Sequence, residues 1–419
     1  MTSREKILAS LNHKSGPVAV DFGSTNVTGI HVSCVAALRR HFGLPEHPVK
    51  AYEPFQMLGL IEDDLLDALD VDVIGLVGRE TMFGFPNVNW REWRAPWDQV
   101  VLVPEGFRPQ PAPDGGVLLH PHGDLSVPPS GHMPKGGYFF DGIVRQEPID
   151  EDKLNPLDNC EEFNPLSEAD IAHWKNEFAR TADSPRAVTA TMGGTALGDI
   201  ALVPGLNLRH PRGVRDITEW YVSLVDRRDY VHAIFERQCE VALKNLETFS
   251  KLAGDRVDAL FVCGTDFGTQ QSQFCSPETF DELYAPYYRR INGWIHAHTK
   301  WKTFKHSCGA ILPLIPHFID AGFDVLNPVQ CSAEDMDPVR LKREFGDRLV
   351  FWGGGVDTQK TLPFGTPSEV RAEVLERLRV FAPDGGFVFN TIHNTQALTP
   401  TENFIAMIDA IREFNSAGG

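Results

Sequence analysis

Trp301-Lys-Thr-Phe-Lys-His-Ser-Cys-Gly309 is a short apolar-rich run that closes in a polar, glycine-bearing tip, and a helical pattern over 311–321 follows it. The same alternation recurs through the second half of the chain. Apolar runs with polar or glycine-rich tips fall at 187–194, 259–270, 301–309, 324–330, 349–357 and 386–394. Helical patterns at 220–252, 277–299, 311–321, 338–345 and 367–381 lie between them, and 400–414 reads as a closing helix. With 18–22 and 73–77 from the first half, the strands number eight. Eight strand–helix units in 419 residues predict an α/β chain folded as one (β/α)8 TIM barrel, a single domain over 1–419. A doubly wound open sheet is the competing architecture, but no G-x-G-x-x-G follows the first run.

Residues 80–186 interrupt this rhythm. Trp90, Trp93 and Trp97 precede short β-like pieces at 99–104, 116–120 and 137–141, with many Pro and Gly between them. The stretch reads as a hairpin-rich insertion before the third strand, with a short helix at 168–179. Capping the barrel mouth, a contact in a homodimer, and surface elaboration over packed tryptophans are all consistent with it.

A formal charge of −18 argues against nucleic acid or an anionic membrane as the partner, because phosphate binding needs a positive surface. No apolar stretch approaches a membrane span. Seven cysteines, thinly spread, suit free thiols in a cytoplasmic setting better than a disulfide framework.

His306 and Cys308, two residues apart at a strand end, point the same way and supply half of a zinc site. Asp266 ends the fourth strand, where a general base or substrate-orienting group belongs; a loop hydrogen bond is the plainer use. Asp357, after Gly353-Gly-Gly-Val, sits at the seventh tip as a catalytic candidate or a turn-stabilising carboxylate. Asp21, Gln270 and Asn390 are substrate-binding candidates at other strand ends. Cys263 reads as core, and Cys34, Cys160, Cys239 and Cys275 as structural. His296 and His298, two apart on a helix, diverge around its axis. His120 and His122 read as loop positions.

The ordered pieces resemble the uroporphyrinogen decarboxylase superfamily, which includes methylcobamide:thiol methyltransferases. They are residues 4–14, Val18-Ala-Val-Asp-Phe-Gly23, residues 68–77, Met133-Pro-Lys-Gly-Gly-Tyr-Phe-Phe-Asp141, Gly264-Thr-Asp-Phe-Gly268, His306-Ser-Cys-Gly309, residues 324–330 and 352–357, and Thr399-Pro-Thr-Glu-Asn403. The resemblance implies a barrel with its site at the C-terminal strand ends. Decarboxylases of the family carry an arginine-rich segment after the first strand, whereas this chain reads Asp21-Phe-Gly-Ser-Thr-Asn-Val-Thr28. A polycarboxylate needs paired cationic donors, so porphyrinogen decarboxylation is disfavoured. In the zinc methyltransferase branch a cysteine follows the eighth strand; laid on this chain, that position is His393. Cys331 falls where the related methionine synthase barrel has an additional ligand. The resemblance thus implies a Zn2+ site drawn from His306, Cys308, His393 and Cys331, a Cys2His2 set in which the first three are permanent ligands and Cys331 is close by and displaceable by substrate. It further implies methyl transfer between a methylated small molecule or corrinoid protein and a thiol or corrinoid, any corrinoid coming from a partner protein. A decarboxylase or lyase of a smaller carboxylate, and a non-catalytic ligand-binding barrel, are the alternatives.

Overall fold

The computed structural model describes residues 1–418. Eight parallel strands form the expected barrel: β1 (Ala19–Val20), β2 (Val73–Val77), β3 (Ala187–Thr191), β4 (Ala259–Cys263), β5 (Lys302–His306), β6 (Val325–Asn327), β7 (Val350–Trp352) and β8 (Phe387–Phe389). Seven ladders run unbroken from β2 through β3 to β8 and back to β1. At the remaining seam, Asp72 N–H donates to the Val20 carbonyl at 2.8 Å, and the Asp72 carboxylate accepts from Val20 N–H at 3.0 Å. Gly75 lets the Ser24 carbonyl lie where a Cβ would stand, 2.2 Å from that position.

Strand periodicity fills the interior. Ala19, Val73, Ala187, Phe304, Val325, Val350, Trp352 and Val388 form one buried cluster, with Phe261 packed against it. Ile7 and Leu11, on the N-terminal helix Ser3–Leu11, belong to the same cluster. Helices form the outer layer, and their ends follow local chemistry. Thr366 and Glu369 make a capping box before Pro367–Phe381, and Asp337 caps Pro338–Phe345. In Arg228–Ala253 the buried stripe Val231, Ile234, Phe235, Gln238, Ala242, Leu246 and Phe249 repeats at helical spacing against the sheet.

Three long helical patterns divide. Pattern 277–299 becomes Pro277–Leu283 and Ala285–His298, because Pro286 has no N–H to carry the first helix onward. Pro313 and Pro316 likewise leave a 3-10 turn, Leu312–Leu314, and a short helix, Ile315–Asp320. The segment 220–252 splits at Arg227, whose φ −128 and ψ 46 lie outside the helical region.

The interrupting region is strand-rich, but it starts earlier than residue 80. Val49–Glu53 and Leu58–Gly59, which lie between β1 and β2, join Arg91–Arg94 and Val100–Val103 in one four-stranded sheet. Val49 and Lys50 pair in parallel with Val101 and Leu102. A second sheet holds Gln110–Pro111, Val117–Leu119, Gly131–Met133 and Asp141–Gly142. The expected strand at 137–141 therefore shrinks to its last residue and one beyond. Helix Glu168–Arg180 forms behind a Ser167–Asp170 capping box. The tryptophans pack within this cap, Trp93 against Phe107 at 4.9 Å and Trp97 against Tyr138 at 5.3 Å between ring centroids.

Candidate metal centre

His306 occupies the last position of β5, one inward layer above Phe304. Register pairs it with Asn327 at the end of β6. The Asn327 amide nitrogen donates to the Trp352 carbonyl at 2.6 Å, which leaves its oxygen to accept from His306 Nδ1–H, also at 2.6 Å. The proton is thus fixed on Nδ1 and the Nε2 lone pair is free, the arrangement a metal-binding histidine needs.

Beyond His306 the backbone is pinned from three sides. Ser307 N–H donates to the Asn327 carbonyl at 2.8 Å, Cys308 N–H to the Asp266 carboxylate at 2.7 Å, and Gly309 N–H to the Gln330 side chain at 2.8 Å. Gly309 has φ +90, and a Cβ there would lie 2.3 Å from Gly268 backbone, so only glycine fits this turn. Lys305, on the opposite face of the strand, is fully buried. Its ammonium donates to the carbonyls of Thr265 and His306 and sits 4.8 Å from the Phe267 ring centre.

His306, Cys308 and His393 each offer a ligand atom, and these atoms all lie within 4.8 Å of one another. Cys308 Sγ is 3.4 Å from His306 Nε2. A tetrahedral zinc with bonds of about 2.0 Å to nitrogen and about 2.3 Å to sulfur separates such donors by roughly 3.5 Å, so this pair fits the ion. Burial pushes the His393 pKa down to about 4, helped by the neighbouring His306, and burial also lowers that of His306. Both imidazoles are therefore neutral, the form that donates to a metal. Burial, reinforced by Asp266, raises the Cys308 thiol well above its usual range. The thiol must lose its proton to bind, so a cation here binds more tightly as pH rises.

Asp266 stands beside this group, its carboxylate 3.6 Å from His306 Nε2. Cys331 is not brought into it. Val329 turns the chain with φ 55, the Cys331 thiol contacts the Val329 carbonyl at 3.4 Å, and the thiol lies in the field of Arg377 and Glu373. Burial pushes that thiol up to about 12.

The remaining candidates are spread around the mouth. Asp21 is fully buried, accepting from Ser24 Oγ at 2.7 Å and from the Trp352 indole N–H at 2.8 Å; burial lifts its pKa to about 6. Asn390, equally buried, donates to the Asp21 carbonyl at 2.7 Å. Asn390 is thereby engaged in holding the end of β8 to that of β1, and Asp21 in holding the end of β1 to Trp352 of β7. Asp357 accepts from the N–H groups of Gln359 and Lys360 at 2.6 and 3.1 Å, a turn-stabilising geometry. Gln270 is exposed, and its carbonyl accepts from Glu334 N–H. Cys263 packs in the core with its sulfur 2.8 Å from Tyr288 Oη. His296 pairs with Asp324 at 2.8 Å, and His298 caps the Trp294 carbonyl at the same distance. Sequence reasoning missed Asn327 and Lys305. Nothing local marked the second, because another lysine, Lys302, stands in the same strand, and the first depends on register between strands.

Residues 207–414 match a family model described as uroporphyrinogen decarboxylase, which bears out the resemblance to that superfamily. No curated protein matches the chain. Among solved structures, a methyltransferase from Methanosarcina mazei aligns over 99% of both chains at a TM-score of 0.54 and 15% identity, a likeness of fold. No helix among the described residues is long and apolar enough to cross a membrane.

Proposed function

We propose that this barrel, similar over its C-terminal half to the uroporphyrinogen decarboxylase family, is a zinc-dependent methyltransferase. The observation that carries the reading is the convergence of donor atoms from His306, Cys308 and His393 at the C-terminal strand ends. Three protein donors leave an exchangeable fourth position, as a catalytic zinc site requires. Zinc, when bound, would supply a Lewis acid that holds an incoming sulfur as thiolate or polarises the atom bearing the methyl group. Asn327 keeps the His306 tautomer fixed, and Asp266, adjacent to both His306 and the Cys308 backbone, would orient substrate or accept a proton. The methyl donor is a methylated small molecule or a corrinoid protein, and the acceptor a thiol or corrinoid; a corrinoid comes from a partner protein. The Asp21–Thr28 loop carries no arginine, which disfavours a porphyrinogen polycarboxylate. The name of the matching family favours a second reading, decarboxylation of a smaller carboxylate.

Elemental analysis of protein purified without chelator, beside a His306→Ala/Cys308→Ala variant, tests the metal. Close to one zinc per chain is expected in the parent and background in the variant, with both folded, because a barrel of this size has its own core. Methylcobalamin incubated with a small thiol then reads transfer through the cobalamin spectrum. Equal metal content in the two proteins sinks the zinc site. Zinc without any methyl transfer, together with carbon dioxide release from a small carboxylate, moves the assignment to the lyase.

A further inference from the structure

The ladder between β4 and β5 shifts register between Phe261 and Cys263, where β4 carries one residue more than its partner, and Cys263 opposite Lys305 is the last pair. Beyond that pair, side chains tie the two strands together. The Lys305 ammonium donates to the Thr265 carbonyl at 2.6 Å, Phe267 N–H to Ser307 Oγ at 2.9 Å, and Cys308 N–H to the Asp266 carboxylate at 2.7 Å. Lys305 also donates to the His306 carbonyl. One cation thus holds both the residue before Asp266 and the first of the metal-ligand candidates.

Lysine is an unusual residue for such a tie. Its side chain here is fully buried, and lysine is almost never buried so completely unless an opposite charge pairs with it. The partners of Lys305 are instead two neutral carbonyls and the rings of Phe267 and Phe318, whose centres lie 4.8 and 5.3 Å from the ammonium. The carboxylate of this strand tip, Asp266, is left 31% exposed beside His306 Nε2. The positive charge is locked inside the fold, while the negative one remains within reach of solvent and substrate. Burying an ammonium is costly, and joining two carbonyls for stability alone does not call for a charge.

We infer that Lys305 is a positioning residue of the metal centre. By tying the Thr265 and His306 carbonyls together it sets Asp266 against Cys308 N–H and His306, and so fixes the spacing of the donor atoms. Its functional meaning rests on the metal reading proposed above, whereas the tie itself requires neither a metal nor methyl transfer.

Hydrogen exchange of the metal-free full chain, read by mass spectrometry, tests the tie, and binding of cobalt(II) in place of zinc tests its consequence. Lys305→Met keeps the length of the side chain and removes its charge and donors. Lys302→Met, in the same strand, removes a part-exposed lysine 3.6 Å from Asp324 and serves as the control. In Lys305→Met the amides of 265–268 and 306–309 should exchange about tenfold faster, the loss of one good hydrogen bond, with the rest of the barrel and the control at parent rates. Cobalt should still bind at one ion per chain, but about 10–100-fold more weakly and with altered ligand-field bands, as when a group that orients metal ligands is removed. Lys305→Gln, which retains an N–H donor, should lie between parent and Lys305→Met. Unchanged local exchange overturns the inference. So does faster local exchange with cobalt affinity and spectrum unaltered, or exchange that rises throughout the barrel in both Lys305 variants, since either makes Lys305 a fold residue only. A parent that takes up no cobalt fails the zinc reading instead, and the tie then stands or falls on exchange alone.

Discussion

Around the tip of β5, side chains from β4, β6 and their loops pin the backbone that carries His306 and Cys308. Across the mouth, at β2 and β3, five buried polar atoms have no partner at all: Asn26 Oδ1, Tyr52 Oη, Thr81 Oγ1, Asn87 Oδ1 and Thr191 Oγ1. The first side is built from strand ends whose register fixes donor positions, as suits an ion with strict geometry. The second, formed by the loops after β1 and β2, the cap strand Val49–Glu53 and the end of β3, leaves polar atoms buried without a partner. Paired and unpaired buried polar groups are thus segregated within one barrel end.

The sharpest way to break this contrast is at Asp266. Asp266→Asn keeps shape and hydrogen bonding while removing charge, and turnover should fall by about 10²–10⁴-fold, the range for a lost acid or base. Thermal stability should stay near that of the parent, because the amide oxygen still accepts from Cys308 N–H. Full activity would remove Asp266 from the chemistry, and unfolding would make it a fold residue.

His31 tests the capped side. Its ring bonds the Tyr138 carbonyl at 3.0 Å and packs against Trp97, and burial lowers its pKa to about 4. An unfolded histidine titrates near 6.5, so the unfolded chain binds the extra proton between those values. Stability from this group is complete above the unfolded value and is lost as pH falls toward 4, by roughly 3 kcal/mol in all. Urea unfolding of parent and His31→Asn at pH 7, 5.5 and 4 should give a steeper decline in the parent. Parallel declines would show that His31 does not tie the cap to the barrel.

Asn327 measures how much the pinned side gains from its support. Asn327→Ala should weaken zinc binding by about 10–100-fold, as expected when the partner of a metal-bound histidine is removed. Competition with a chromophoric chelator reads this directly, and unchanged affinity would mean the tautomer needs no fixing. The smallest effect belongs to Cys331→Ser, which should retain zinc while His393→Ala loses most of it. X-ray absorption at the zinc edge should report one sulfur; two would bring Cys331 into the resting shell.

Much of the pinned side was legible in the chain. Strand alternation alone aligns His306 with Cys308, and the apolar runs locate all eight barrel strands to within a few residues. His393 was reachable only through family resemblance, because three residues of irregular chain separate it from the end of β8. Asn327 escaped because its meaning lies in the pairing of two strands, which no local pattern encodes. The breaks at Pro286, Pro313 and Pro316 were present as plain signals, overridden by the apolar periodicity around them. The cap was hardest to read, since residues 49–53 pair with a strand some fifty positions later. Short strands between Pro and Gly carry little periodicity of their own.

That long-range pairing has a bearing on how the molecule can be cut. Residues 49–59 leave the barrel before β2 and residues 91–103 after it, yet they build one sheet. The cap is therefore not a cassette that an engineer can excise at 80–186. Such a deletion would strip a partner from Val49–Glu53 and leave a bare strand edge, a template for aggregation. A minimal barrel must shed both excursions together.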